Sequence, residues 1–281
     1  MNAFKSWFMA WLFPWFPKRL MSRGFGVLMR IPLPRPLRPL LLTGFANFFH
    51  IHIPDAELPL SEYPTFDAFF TRKLKEGLRP VTPAKNGIVH PVDGRLTETG
   101  VIKGNQLVQA KGWTYDLGEL LGRDDRLAAY DGGSFYTYYL CPADYHRIHA
   151  ATSGQLVSAL HIPGLLWPVN EWSVTNIRRL FCLNERVVLN FEAPEGKWSM
   201  VLVGATNVGH MTVTLDPSII TNRWLWHAPS DRTYDPAISI AIGQEVGMFH
   251  LGSTVICVFD RHYASYHSPF NRAVRMGEPA V

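Results

Sequence analysis

The stretch Gly132-Gly133-Ser134-Phe135-Tyr136-Thr137-Tyr138-Tyr139 sets the fold class. A glycine pair ahead of a helix would suggest a phosphate-cradling loop. Here the pair opens straight into aromatic and β-branched residues, which suit a pleated strand and carry no helical period. The glycines therefore read as a turn feeding a strand. Similar runs recur at Val187-Val188-Leu189-Asn190-Phe191, Met200-Val201-Leu202-Val203 and Ile238-Ser239-Ile240-Ala241-Ile242. Each is short, with turn residues between, and that rhythm predicts an antiparallel, β-rich domain. Few helical segments intervene, which disfavours a parallel doubly wound sheet. No internal repeat is present. The expected class is α+β, a mainly antiparallel β-rich domain with amphipathic helices at its N-terminus.

Those helices are expected from a different kind of sequence. Residues 1–54 hold no acidic residue, while Lys5, Lys18, Arg19, Arg23, Arg30, Arg35 and Arg38 give them a formal charge of +7. The whole chain is +4, so the rest is −3, and the basic character belongs to this arm alone. A broad nucleic-acid surface does not fit that distribution. The arm also carries Phe4, Trp7, Phe8, Trp11, Phe13, Trp15 and Phe16, and aromatic rings mixed with cations suit an anionic lipid interface. The apolar run from Phe4 to Phe16 is too short to span a bilayer and contains Lys5 and Pro14. Lys18 and Arg19 follow it where a signal peptidase site would need small residues. Interfacial binding is the reading, with a buried N-terminal helix as its alternative. Prolines 14, 17, 32, 34, 36 and 39 predict short, interrupted helices.

Residues 55–281 form the second expected unit. Phe66, Phe69, Phe70 and Leu74 recur at helical spacing, predicting an amphipathic helix capped by Thr65. The composition, 47% hydrophobic and 18% charged, is that of a folded chain and excludes disorder. Three cysteines, Cys141, Cys182 and Cys257, cannot all pair, and no C-x-x-C occurs; buried thiols in a reducing compartment are expected.

Four segments carry chemistry: His90-Pro91-Val92-Asp93-Gly94, Asp144-Tyr145-His146-Arg147-Ile148-His149, Gly204-Ala205-Thr206-Asn207-Val208-Gly209 and Gly247-Met248-Phe249-His250-Leu251-Gly252-Ser253-Thr254. Singly each is weak: a Gly-Ser beside a strand is usually a turn, and Asp-Gly usually is one too. Together and in this order the chain resembles the bacterial-type phosphatidylserine decarboxylases. Arg79-Pro80 after the aromatic helix, Gln109-Ala110-Lys111-Gly112, Pro163-Gly164 and Asn184-Glu185-Arg186 extend the likeness from about residue 60 to about residue 258. Leu251-Gly252-Ser253-Thr254 near the C-terminus is its most specific element.

Gly252 offers an unhindered carbonyl and a permissive backbone. The Ser253 hydroxyl can attack that carbonyl and replace the amide by an ester once a base takes its proton. His149 is the candidate base, with Asp93 fixing its tautomer and stabilising the imidazolium. The resemblance implies that elimination then frees residues 1–252 as one chain (β) and leaves 253–281 as another (α), opening with a pyruvoyl group made from Ser253. Such a group binds the amine of the serine headgroup and accepts electrons as CO2 leaves, giving phosphatidylethanolamine. His146 is a candidate for substrate-phosphate contact or proton transfer; spacing does not decide between them. The implied partners are phosphatidylserine in the membrane and the two cleaved chains as a heterodimer, on the cytoplasmic face of the inner membrane. A higher homo-oligomer is left open.

Other readings remain at this level. Asp93, His149 and Ser253 would also suit a serine hydrolase that stays intact, although a G-x-S-x-G elbow is missing. A membrane scaffold without activity, or a pyruvoyl decarboxylase of a soluble amino acid, would share some of these features. Cys141, His146 and His149 mimic a metal cluster, but no second ligand pair accompanies them and no metal is expected. Arg186 reads as a salt-bridged structural cation rather than a phosphate contact. His250, two residues before the scissile glycine, is the one remaining histidine with a suggestive position.

Overall fold

The computed structural model describes residues 18–82, 87–110, 112–206, 210–222, 229–250, 253–263 and 270–280. The aromatic run of the arm, Phe4 to Phe16, lies outside them, as do Gly252 and the Asn207–Gly209 part of the third motif. The strand expectation holds. Gly132 takes φ +78°, and Gly133 follows where a Cβ would sit 2.1 Å from the Phe259 carbonyl. Strand β4 (Ser134–Leu140) begins immediately after.

β4 lies in an eight-stranded antiparallel sheet. Its other strands are β1 (Gly94–Val101), β6 (Gly154–Ile162), β7 (Arg186–Ala193), β8 (Gly196–Val203), β10 (Ser230–Ile240), β12 (Ser253–Phe259) and β13 (Arg272–Val274). The order is β10-β6-β7-β8-β12-β4-β1-β13. Two smaller sheets complete the domain: β5 (Arg147–His149), β11 (Glu245–Phe249) and β9 (Met211–Val213), then the hairpin of β2 (Gln106–Ala110) and β3 (Trp113–Asp116). The apolar run Val255 to Phe259 lacks the alternation of a half-exposed strand, and every residue of β12 is buried. The core here is aromatic: the Phe191 and Trp198 rings stack at 3.9 Å, and Phe259 lies 6.1 Å beyond Trp198.

The arm forms helices α1 (Lys18–Met29) and α2 (Arg38–Phe49), separated by the proline-rich 31–37 segment. Val27, Leu40 and Phe48 on them are 67, 72 and 77% exposed. No helix among the described residues is long and apolar enough to cross a membrane.

Helix α3 (Phe66–Phe70) has the expected cap, the Thr65 hydroxyl accepting from the Ala68 amide at 3.0 Å. It is shorter than its sequence period predicts. Leu74 bridges to Ala56 instead, and the Glu57 and Lys75 amides donate to the Lys73 and Asp55 carbonyls. Extended pairing with 55–57 overrides the helical spacing beyond Phe70. Phe45 of α2 packs on Phe66 at 5.1 Å and edge-on to Phe69 and Phe70, so α2 is fastened to α3 by aromatic contacts.

Candidate active site

Sheet register brings the four motifs to one end of the large sheet. Ser253 opens β12 opposite Leu140, the last residue of β4, and Thr254 faces Tyr139 and Val203. Arg95 also faces Tyr139, which places Asp93-Gly94 at the same end. Gly94, at φ +153°, is required there because a Cβ would come within 2.5 Å of the Tyr139 carbonyl. β8 ends at Val203, leading into Gly204-Ala205-Thr206. Past Leu140 the chain runs through Cys141–His146 into β5, which pairs with β11. The Phe249 amide donates to the His146 carbonyl at 3.0 Å. Residues 141–146 thus lead from the large sheet to the three-stranded one.

Ser253 is fully buried, and its hydroxyl has no hydrogen-bond partner among the described residues. A buried hydroxyl left unpaired costs roughly 1–3 kcal/mol, a cost shared by the buried hydroxyls of Ser134 and Ser173; what sets Ser253 apart is its place at the first position of β12, beside the other motifs. His146 likewise has a buried polar atom without a partner among the described residues. Its Nδ1 donates to the Asp144 carbonyl at 2.9 Å, which leaves the lone pair on Nε2, and Nε2 is buried without a partner. Burial, with the Arg72 and His250 charges, pushes its pKa down to about 3. A neutral imidazole of this kind can take up a proton but offers no positive charge to a phosphate. Phe70 packs against its ring at 4.2 Å.

His149 differs. Nδ1 donates to the Gly243 carbonyl at 2.9 Å, and Nε2 accepts from the Tyr145 hydroxyl at 3.2 Å. Burial lowers its pKa, opposed by the Gly243 hydrogen bond and the charge of Glu245, with a smaller upward pull from Asp93. The ring is therefore a neutral base.

The expected Asp93–His149 hydrogen bond is not made. The Asp93 carboxylate is held by Arg79, whose Nε lies 2.8 and 3.0 Å from its two oxygens and whose Nη2 lies 2.5 Å from Oδ2. The Met276 amide adds a fourth contact at 2.9 Å. Fixing the His149 tautomer falls to the Gly243 carbonyl, and Asp93 acts on His149 through space. The reason is geometric: a fork-shaped guanidinium takes a carboxylate in preference to a single imidazole N–H. Arg79 was visible in the sequence only as part of Arg79-Pro80, with nothing to assign it this partner. Tyr145 sat within a motif without a role, and a carbonyl such as that of Gly243 leaves no sequence signal.

Two cavities of about 250 Å3 adjoin these groups. Arg72, Asp93, Asp144 and Arg275 line one; His149, Glu245 and Lys73 line the other. Leu74, Arg79 and Tyr145 line both. Ser253 lines neither.

Arg186 is structural, though not through a salt bridge. It donates to the carbonyls of Glu119, Leu120, Cys182 and Asn184 at 2.6–3.1 Å and ties the chain before β7 to the helix Leu117–Leu121. All three cysteines are free, and Cys182 and Cys257 are buried.

Comparison with known proteins shows the family. The family model for phosphatidylserine decarboxylase matches residues 66–281. A phosphatidylserine decarboxylase proenzyme of an Anaeromyxobacter species is 42% identical, with 94% of each chain covered. The proenzyme of Myxococcus xanthus is 38% identical over 93% of each chain. A mitochondrial proenzyme of rice is 34% identical, covering 87% of this chain and 68% of its own. With a matching model over most of its length and relatives this similar from end to end, the chain belongs to the phosphatidylserine decarboxylase family.

Proposed function

We propose that this chain decarboxylates phosphatidylserine to phosphatidylethanolamine after cutting itself between Gly252 and Ser253, with Ser253 as the attacking residue. The observation that carries the reading is the buried Ser253 hydroxyl, unpartnered among the described residues, at the first position of the central strand. In the uncut chain His149 takes the hydroxyl proton once the Tyr145 hydroxyl gives up its hydrogen bond to Nε2. Its tautomer is set by Gly243, and the Arg79-held carboxylate of Asp93 favours the imidazolium. A pyruvoyl group derived from Ser253 supplies an electron-accepting carbonyl for the loss of CO2. Such a group would carry its ketone on the former Cα and a methyl where the hydroxyl-bearing carbon stood, and a buried position that offers the hydroxyl no partner among the described residues suits a methyl. His146, neutral and with Nε2 unpartnered among the described residues, takes the proton-transfer role in this reading.

The cut chains remain together as a heterodimer in this reading. β12 contributes seven register pairs with β4 and six with β8. The substrate is taken from a bilayer by α1 and α2, whose exposed apolar side chains accompany a basic arm; the cytoplasmic face of the inner membrane is the assigned location. No nucleic acid takes part.

A denaturing gel and a mass spectrum test the cleavage. One 31.8 kDa species refutes it, and so does an active protein that keeps an ordinary serine at 253. The expected products are residues 1–252 and a blocked fragment 253–281. Ser253→Ala should abolish the cut. His149→Ala and Asp93→Asn should slow it at least a hundredfold, the lower range for loss of a positioned base. Normal cleavage in either variant removes that residue from the assignment.

A further inference from the structure

We infer that Asp67 and His250 form a positioning pair that anchors the upstream side of the self-cleavage junction. Attack of the Ser253 hydroxyl on the carbonyl before it requires the backbone on both sides of the bond to be held in one geometry. The downstream side is held by β12, in which Ser253 itself pairs with Leu140. The upstream side needs its own anchor. His250, three residues before Ser253, is the nearest described side chain able to provide one.

Its ring is tied at both nitrogens. Nδ1 lies 2.8 Å from Asp67 Oδ1, and Nε2 lies 2.8 Å from the Thr212 hydroxyl. The His250 amide donates to the His210 carbonyl at 3.2 Å, and the His210 ring packs against the His250 ring at 4.6 Å. Two hydrogen bonds on a half-buried ring fix its rotation as well as its position. Asp67 is in the first turn of α3, behind the Thr65 cap, so the acceptor is itself held by a helix that buries Phe69 and Phe70. Arg30, just past the end of α1, reaches the other Asp67 oxygen at 3.5 Å. The junction is therefore connected through two side chains to the basic arm. Neither Asp67 nor His250 touches Ser253, and both act by holding the chain that leads to it.

The inference rests on the self-cleavage reading, and the test separates the two. Full-length chain is made by cell-free synthesis, and conversion to the two products is followed on denaturing gels. Ser253→Ala is the control for the chemistry: if it is still cut, the self-cleavage reading itself fails. With that control uncut, His250→Ala and Asp67→Ala should each slow conversion at least tenfold. Asp67→Asn keeps an oxygen that accepts from Nδ1, and should restore conversion to within about threefold of the parent. A role in general stability would not be rescued in this way. Each substitution is also placed in the Ser253→Ala chain, where thermal unfolding should remain cooperative. Conversion of His250→Ala at the parent rate overturns the inference. So does an Asp67→Asn chain as slow as Asp67→Ala, or loss of cooperative unfolding in the uncut variants.

Discussion

Replacing Arg79 by leucine strands the Asp93 carboxylate. In the native arrangement the two side chains are 13 and 10% exposed, and Arg79 supplies three of the four hydrogen bonds to the carboxylate. Removing one partner of a buried ion pair typically costs about 3–5 kcal/mol, because the remaining charge keeps its desolvation penalty without its counterion. The Met276 amide remains as a donor, which places Arg79→Leu toward the lower half of that range. At about 2.1 cal/mol/K per residue, a chain of this length melts about 5–7 °C lower for such a loss. Asp93→Asn in the same position removes the charge and should be milder. The double variant should be less damaging than the two single effects added, by roughly 2 kcal/mol or more, since with Asn at 93 there is no charge to strand. The measurement is thermal unfolding of all four chains in the Ser253→Ala background, where the polypeptide stays whole. Strict additivity, or a shift under about 2 °C for Arg79→Leu, would show that the pair is solvated rather than buried, and the Arg79–Asp93 account of the site would fail.

Two other outcomes follow from the same structure. Burial first, and the Arg272 charge second, press His90 down to about 3, and burial does the same to His146. Unfolded histidine titrates near 6.5, so between these values the unfolded chain binds the extra protons and stability falls as pH falls. At about 1.4 kcal/mol per pH unit, each ring represents up to about 5 kcal/mol, fully present above pH 6.5 and lost progressively toward pH 3. His90→Gln should flatten the fall in melting temperature between pH 6.5 and pH 4, and an unchanged slope would refute the assignment. On the membrane side, Leu40→Asp with Phe48→Asp changes two side chains that are 72 and 77% exposed. Flotation with vesicles of anionic phospholipid should drop severalfold while the melting temperature moves little, and undiminished flotation would remove α2 from the lipid-facing surface.

Local chemistry made much of this molecule legible, and long-range pairing hid the rest. Aromatic and β-branched runs mark β4, β7, β8 and β12 because a strand's side chains are its own sequence signal. Thr65 as a helix cap is equally local. The end of α3 is not, because it depends on residues 55–57 reaching across to pair with 73–75. The site divides in the same manner. Ser253, His146 and His149 could be singled out by residue type and order. The partner of Asp93 could not, since Arg79 precedes it by 14 residues and reaches it only through the fold. Nor could Gly243, which contributes a backbone oxygen 94 residues from His149. Residue types announce reactive groups, whereas the groups that orient them are frequently backbone or distant in the chain.

In the proposed reaction the place of the cut follows from the sheet. A break inside a strand would cost ladder hydrogen bonds, and a break in a remote loop would leave the new terminus far from any catalytic group. Ser253 satisfies both constraints by being the first residue of its strand: it is registered against Leu140, yet its amide neighbour on the upstream side belongs to the connection from β11. Once freed, the short chain still has Val255, Ile256, Val258 and Phe259 at no more than 1% exposure between two partner strands. Burying each is worth about 1.5–3 kcal/mol, so these four together offset much of the association entropy that covalent linkage had removed. β13, Arg272–Val274, adds a second attachment against β1, directly beside Asp93. The Met276 amide that holds Asp93 also belongs to the short chain. Under the proposed cleavage, the fragment carrying the reactive terminus would thus help to build the site that terminus serves, and dissociation of the two chains would dismantle the Asp93 environment along with the sheet.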